Sequence, residues 1–299
     1  MKLFSLNTHS LEEPDYERKL TRLAKGLLAL QPDVTAFQEV NQTIGGQAVS
    51  QEELKKSGYM PCPGIPGDRT VTVAGDNHGF QMAVLLREGG FPCFWTWIPV
   101  KVGYGKYDEG LAFLSPRPFS SITQFYLSKG RDYENWKTRK ALGISVEIEG
   151  RLNHFFSLHM GWWKDLEEPF SYQWNILTEK AASFLETGNV WLMGDFNSPD
   201  HVRGEGFDLI RSQGWQDVFM AAKDRKGYAT APGKIDGWKD QKSGEGMRID
   251  YIWYSPGGKD MPNLLVDQAS VVFDGVESPC VSDHYGIFTQ CAAKKGPII

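Results

Sequence analysis

The sequence predicts two packed β-sheets with helices outside them, an α+β arrangement, and three observations predict it. Strand-like apolar runs crowd into two parts of the chain, one ending near residue 158 and one beginning near residue 190. A strongly amphipathic segment at 174–185 separates these β-rich halves, and another lies near the start, so helices are available to cover sheet faces. No internal repeat, low-complexity tract or long linker interrupts the chain. With 41% hydrophobic residues over 299 positions, the chain reads as one domain, 1–299, with a sizeable core.

Each element follows from spacing and punctuation. Leu3, Phe4 and Leu6 open a short strand. Leu20, Leu23, Ala24, Leu27 and Leu28 then recur at helical spacing until Pro32 stops the helix. The run VTAFQEV supplies a second strand. Residues 80–87, 111–114, 142–148 and 154–158 read as further strands, the last two joined by a turn around Gly150. Trp174, Leu177, Ala181, Phe184 and Leu185 mark one face of a helix that ends before Gly188, and a strand follows at 190–193. A short helix near 205–213 and strands at 249–254, 265–273 and 285–289 complete the order. The aromatic run FPCFWTWIPV, from Phe91 to Val100, reads either as a buried strand pair or as a membrane-touching hairpin. It lacks flanking basic residues, which favours the buried pair.

Composition narrows the partners. The net charge of -5 supplies no positive field for nucleic acid or anionic lipid, and the basic residues are dispersed. No apolar run approaches the roughly 20 residues that span a bilayer, so no membrane insertion is expected. The opening MKLFSLNTHSLEEP has neither the length nor the cleavage site of a secretion signal, which implies a cytoplasmic protein. Cys62, Cys93, Cys280 and Cys291 are scattered without a CxxC pair, as reduced thiols would be.

Polar residues gather just beyond the apolar runs: Asn7, Glu39, His159, Asp195 and Asn197, with Asp250 inside RIDYIW and Asp283 and His284 before YGIF. Singly, each suits a turn or a helix cap, and His78, His154 and His201 have no motif around them. As a set they contain what metal-assisted phosphate hydrolysis requires. Glu39 and Asp283 are hard oxygen ligands of the kind Mg²⁺ or Mn²⁺ prefers, and Asn7 and Asn197 add neutral oxygens or amide donors. Asp250 can hold His284 in one tautomer and stabilise its protonated form, and His159 can donate to phosphoryl oxygens as charge grows on them. In GDFNSPD, Asp195 and Asn197 would share a face of extended chain while Phe196 turns into the core.

The motifs LNTHS, FQEV, FFSLHMGWW, GDFNSPD, RIDYIW and SDHYGIF, in that order, resemble the endonuclease/exonuclease/phosphatase superfamily. The resemblance spans Asn7 to His284. It implies a deoxyribonuclease I-like fold, a four-layer sandwich of two mixed β-sheets flanked by helices, with the active site where strand ends converge. It implies also that Glu39 is the principal metal ligand with Asn7 beside it, and that Asp195 and Asn197 orient or activate water and contact phosphate. Asp250 would be the partner of His284, His284 the general base or transition-state stabiliser, and Asp283 a metal-proximal acid. Which of Asp195 and His284 accepts the proton stays open.

The superfamily cleaves nucleic acids, phosphoinositides, sphingomyelin and small phosphate esters with one core site, so substrate choice lies in the loops. Arg139 and Lys140 stand before a strand, where they could face a phosphate or simply be solvated. Trp162 and Trp163 follow His159, placed to pack on a sugar ring or a base, or to lie buried under a loop. Together with YDEGLAFLS and WKTRK they resemble a bacterial branch of the superfamily that includes maltose 6'-phosphate phosphatase. That resemblance implies a Mg²⁺-dependent phosphomonoesterase acting on a sugar phosphate. The alternatives are a nuclease and a sphingomyelinase- or phosphoinositide-type phosphodiesterase.

Overall fold

A pleated strand sends consecutive side chains to opposite faces, so a strand that is apolar at every position needs cover on both sides. β1 (Lys2–Asn7) and β2 (Val34–Thr43) carry polar residues too, but both are buried at most positions and present apolar side chains on both faces. Leu3, Val34 and Ala36 join one hydrophobic cluster, and Phe4, Leu6 and Phe37 join another. The other elements before residue 160 are α1 (Tyr16–Leu30), α2 (Gln51–Ser57), α3 (His78–Glu88), β3 (Phe94–Gly103), β4 (Tyr107–Ser115), β5 (Ser121–Tyr126), β6 (Lys140–Ile148) and β7 (Arg151–His159). Then come α4 (Phe170–Leu185), β8 (Asn189–Asp195), α5 (Gly206–Ser212), β9 (Gln216–Asp217), α6 (Val218–Ala221), β10 (Asp224–Lys226), β11 (Asp250–Ser255), β12 (Leu264–Val272) and β13 (Gly286–Ala293). The computed structural model describes residues 1–233, 235, 238, 246–257 and 264–293.

Among the described residues, seven strands form one sheet in the order β10, β12, β13, β1, β2, β4, β3, and six form the other in the order β5, β6, β7, β8, β11, β9. Both sheets are mixed: β1 runs parallel to β2 and antiparallel to β13, and β7 runs parallel to β8 and antiparallel to β6. The central cluster between the sheets holds Leu3, Phe113, Ile144, Phe155, Trp191, Ile252 and Ile287. Outside the first sheet, Leu20, Leu23 and Leu27 of α1 and Met82 and Leu86 of α3 cover Phe4, Phe37 and Trp95. Outside the second, Trp174 and Leu177 of α4 and Phe207 and Ile210 of α5 cover Phe156, Leu192 and Trp253. The four-layer sandwich expected from the motifs is therefore present.

Two expectations are corrected. Residues 80–87 do not form a strand; they belong to α3. Asn77 caps it by accepting from the Phe80 N–H, and Gly79, Met82, Ala83 and Leu86 form a buried stripe at helical spacing. A short apolar run fits either period, and the cap decides. The aromatic run at Phe91–Val100 supplies one strand, β3, at the end of its sheet, not a strand pair. Trp95 and Trp97 are buried in the cover of that sheet, with the Trp97 Nε1–H donating to the Val40 carbonyl at 3.0 Å. No described helix is long and apolar enough to cross a membrane.

The parallel pairs decide where chemistry can gather, because strands that run together also end together. Asn7 lies opposite Gln38 across β1 and β2, and His159 lies opposite Asp195 across β7 and β8. Gln38 ties the two ends across the core, its Nε2 donating to Ser157 Oγ at 3.0 Å, while Ser157 Oγ donates to the Phe37 carbonyl at 3.1 Å. Beyond β8, fully buried Arg248 holds the chain by ion pairs to Asp200 at 2.9 Å and Asp217 at 2.6 Å, the second without hydrogen-bond alignment. Phe207, Phe219 and Tyr251 rings surround its guanidinium.

Removing this cation would strand two buried carboxylates. Arg248→Met is expected to cost about 3–5 kcal/mol of unfolding free energy, read by urea denaturation. A loss below about 1 kcal/mol, the range of an exposed pair, would show that the arginine does not hold this segment.

Candidate active site

Glu39 reaches the site through an irregularity. The pairing of β2 with β4 shifts register between Phe37 and Val40, and Glu39 takes φ 51°, in the left-handed region. Bulges of this kind re-aim a side chain, at a backbone cost of about 1–3 kcal/mol for a non-glycine residue. Gln38 stays in the interior while Glu39 lines a cavity of about 730 Å³ at the strand ends. Across from it, β8 approaches β7 so closely at Gly194 that a Cβ would lie 2.0 Å from the Leu158 carbonyl oxygen, which restricts the position before Asp195 to glycine.

Asn7 connects the two sheets at this point. Its Nδ2 donates to Glu39 Oε1 at 2.8 Å and to Asp195 Oδ2 at 3.2 Å, and its Oδ1 accepts from the His9 N–H at 3.2 Å. Asp195 Oδ1 accepts from the Asn197 N–H at 2.8 Å. Asn197 has φ 46°, so its convergence with Asp195 comes from a turn closed by the aspartate, not from strand alternation as expected. Phe196 is fully buried under the second sheet, as anticipated. The Asn197 amide is held at both ends: Nδ2 donates to the Met160 carbonyl and Oδ1 accepts from Trp238 Nε1, each at 2.9 Å.

His284 Nδ1 lies 2.9 Å from Asp250 Oδ2, and its Nε2 lies 3.8 Å from Asp195 Oδ2. Asp250 faces Asp195 across the antiparallel ladder of β11 and β8, which brings the three groups together. Ser282 fixes the turn carrying His284, donating to the Asn7 carbonyl at 2.7 Å and accepting from the His284 N–H at 3.2 Å. His159 stands on the opposite side, Nδ1 3.9 Å from Glu39 and Nε2 3.7 Å from Asp195. Asp283 lines the cavity, and its N–H donates to Glu13 Oε1 at 2.9 Å.

Of the four proposed substrate contacts, two line the cavity. Arg139 and Trp162 do so, with the guanidinium 5.8 Å from the Trp162 ring. Lys140, the first residue of β6, points away to pair with Asp68 at 2.5 Å, and Trp163, in the turn after β7, packs on Phe170. Several lining or supporting residues were not singled out from sequence. His9 Nδ1 lies 2.7 Å from Glu13 Oε1 and its Nε2 lies 3.0 Å from the Tyr104 hydroxyl. Lys101 pairs with Glu109 at 3.1 Å in the cavity wall, beside Trp136. The signal for His9 and Glu13 was present in LNTHSLEEP as an i, i+4 pair; Lys101 and Glu109 showed only as charges within otherwise apolar strands.

The concentration of acids shapes the titration. Burial, then the Glu109 and Asp283 carboxylates, push Glu39 up to about 7, against the pull of His9 and Asn7. Burial, then Asp250, push Asp195 up to about 7, against His284, the Asn197 N–H and Asn7. Burial opposes the His284 imidazolium, but Asp250, Asp195 and Asp283 outweigh it and hold His284 well above the ordinary histidine range. His159 is driven well below that range by burial and by the Arg139, Lys101 and His284 charges. A divalent cation fits this donor set. Glu39 Oε2 is buried with no partner among the described residues, Asp283 lies near, and hard oxygen donors dominate.

The family model described as the endonuclease/exonuclease/phosphatase family matches residues 4–284. No curated protein matches the sequence. Among solved structures, an endonuclease/exonuclease/phosphatase family protein from Leptotrichia buccalis C-1013-b is 24% identical with a TM-score of 0.79, covering 98% of this chain and 99% of that one. The mannosyl-6-phosphatase of Bacteroides thetaiotaomicron VPI-5482 is 18% identical with a TM-score of 0.65, with coverage of 98% and 99%. D. rerio TDP2 complexed with single strand DNA product is 15% identical with a TM-score of 0.63, again over 98% and 99%.

Glu39 links pH to stability with a definite sign. Its pKa rises from an ordinary 4.5 to about 7 on folding, so between those values the folded state holds more protons than the unfolded one. Its contribution to stability therefore falls as pH rises through that window. Metal-free protein is expected to lose stability relative to Glu39→Gln from about pH 5 to about pH 7, measured by urea unfolding in chelator. Parallel pH profiles for the two proteins would contradict the raised pKa of the buried Glu39 carboxyl.

Proposed function

The chain belongs to the endonuclease/exonuclease/phosphatase family, and from that premise we propose a divalent-metal-dependent phosphomonoesterase acting on a sugar phosphate. The observation that carries this reading is the cavity of about 730 Å³, in which Glu39, Asp195, Asn197 and His284 share a wall with the buried guanidinium of Arg139. A concave site of this size suits a small molecule, and an arginine beside the acids suits the dianionic end of a monoester.

Glu39, with Asp283 and Asn7 beside it, would hold Mg²⁺ or Mn²⁺. Such a cation, when bound, supplies Lewis-acid neutralisation of charge on the phosphoryl group and leaving oxygen. The chain's own groups divide the remaining work. Asp195 and Asn197 orient a water in line with phosphorus. With its pKa near 7, Asp195 is matched to accept that water's proton at neutral pH. His284, held by Asp250, stays protonated and offers its Nε2–H to a phosphoryl oxygen as charge develops. His159 stays neutral, so it donates one ring N–H without adding a second positive charge beside Arg139. Arg139 binds the non-bridging oxygens.

Purified protein with Mg²⁺ is expected to release inorganic phosphate from at least one sugar phosphate, and faster than it cleaves a phosphodiester or DNA. Release from no sugar phosphate in a broad panel would overturn the reading. His284→Ala is expected to lower kcat by about 10²–10⁴-fold, with a smaller change in KM; undiminished turnover would remove the role given to His284.

A further inference from the structure

Trp136 has no part in the chemistry, yet it is 54% exposed while Trp95, Trp97, Trp174, Trp191, Trp215 and Trp253 are all buried. Its ring lines the same cavity as Arg139 and lies 5.6 Å from the Trp162 ring, the planes inclined by 58°. Leaving so large an apolar surface in water is unfavourable, and an indole face is an effective platform for a ligand ring.

The exposure does not come from a loose loop. The Trp136 carbonyl accepts from Lys101 Nζ at 3.0 Å and from Arg139 Nη1 at 2.8 Å, so two buried cations of the cavity wall grip its backbone. Thr138 Oγ1 donates to the Asp132 carbonyl at 2.6 Å and closes the turn behind it. Lys137 ties the turn to the Trp162 segment through Asp165 at 2.8 Å. The indole is thus presented from a braced support, and its position is coupled to the arginine that faces the phosphate.

The contact between the rings leaves no slot for a planar base between them: their centroids are 5.6 Å apart and their planes inclined by 58°, so Trp136 packs on Trp162 and presents its exposed surface as a one-sided platform. A pyranose suits such a platform, because it carries C–H groups on one face and turns its hydroxyls outward. At the rim, the exposed Lys164 ammonium, which pairs with Glu205 at 3.2 Å, offers a donor to such hydroxyls.

We propose that Trp136, backed by Trp162, forms a sugar-ring subsite and sets a preference for pyranose phosphates over ringless phosphate esters. This rests on the phosphomonoesterase reading of the same cavity, and the two can fail separately. Binding is measured by calorimetry with Mg²⁺ in the slow-turnover His284→Ala background, using a hexose 6-phosphate, glycerol 1-phosphate and a nucleoside 5'-monophosphate. Adding Trp136→Ala is expected to weaken hexose phosphate binding about three- to tenfold, to leave glycerol phosphate unchanged, and to be largely reversed by Trp136→Phe. In the otherwise wild-type enzyme the same substitution should raise KM for the hexose phosphate with kcat nearly constant. Equal effects on both esters, no effect on either, or a Trp136 dependence confined to the nucleotide would overturn the subsite. Phosphate release by the wild-type enzyme tests the phosphomonoesterase reading independently of these affinities.

Discussion

One side-chain amide joins the two halves of the site. Asn7 Nδ2 donates to Glu39 from its own sheet and to Asp195 from the other. Two buried carboxylates facing each other across an interface would repel, and Glu39 would lack a close hydrogen-bond donor; a shared donor answers both problems. It also requires the ends of β1, β2 and β8 to stand at one level. The parallel registers provide that, and the Gln38 to Ser157 bond nearby holds it. The left-handed backbone of Glu39 and the close approach at Gly194 are tolerated because this packing over-determines them.

Electrostatics then divide the cavity. One side concentrates carboxylates whose ionisation burial resists, a donor set that a divalent cation would satisfy. The other side carries Arg139 and Lys101, whose charges suit an anionic ligand and add to burial in keeping His159 neutral. Under the proposed function a phosphate ester would bridge the two sides, its anionic oxygens toward the arginine and its reacting face toward Glu39, Asp195 and His284. The ion pair of Lys101 with Glu109 at 3.1 Å offsets part of the positive charge on the arginine side.

Loops add what the strands cannot. The 132–138 turn and the segment after β7 carry Trp136 and Trp162, and Trp238 reaches back to fix the Asn197 amide. These segments form the wall against which the non-reacting part of a substrate would lie. Fold and reacting groups are common to many phosphoester hydrolases, so under the proposed function substrate discrimination would rest with such loop residues.

Much of the fold was legible because its signals are local. Alternation, helical spacing and strand-end polar motifs gave the two sheets, the covering helices and Asn7, Glu39, His159, Asp195, Asn197, Asp250, Asp283 and His284, all of which meet in or beside one cavity. The segment at 80–87 was misread because a short apolar run carries both periods, and only the Asn77 cap and the burial of one stripe separate them. Which member of each adjacent pair faces the site, Arg139 rather than Lys140 and Trp162 rather than Trp163, depends on the register of the chain against its neighbours. Lys101, Glu109 and Trp136 lie far from the motifs along the chain and become neighbours only when the strands pair. The family and the candidate groups of its site were legible along the chain, since those groups follow strand ends in recognisable order. The tertiary structure decided the shape and charge of the wall around them, because that wall is built from contacts between residues that no local spacing relates.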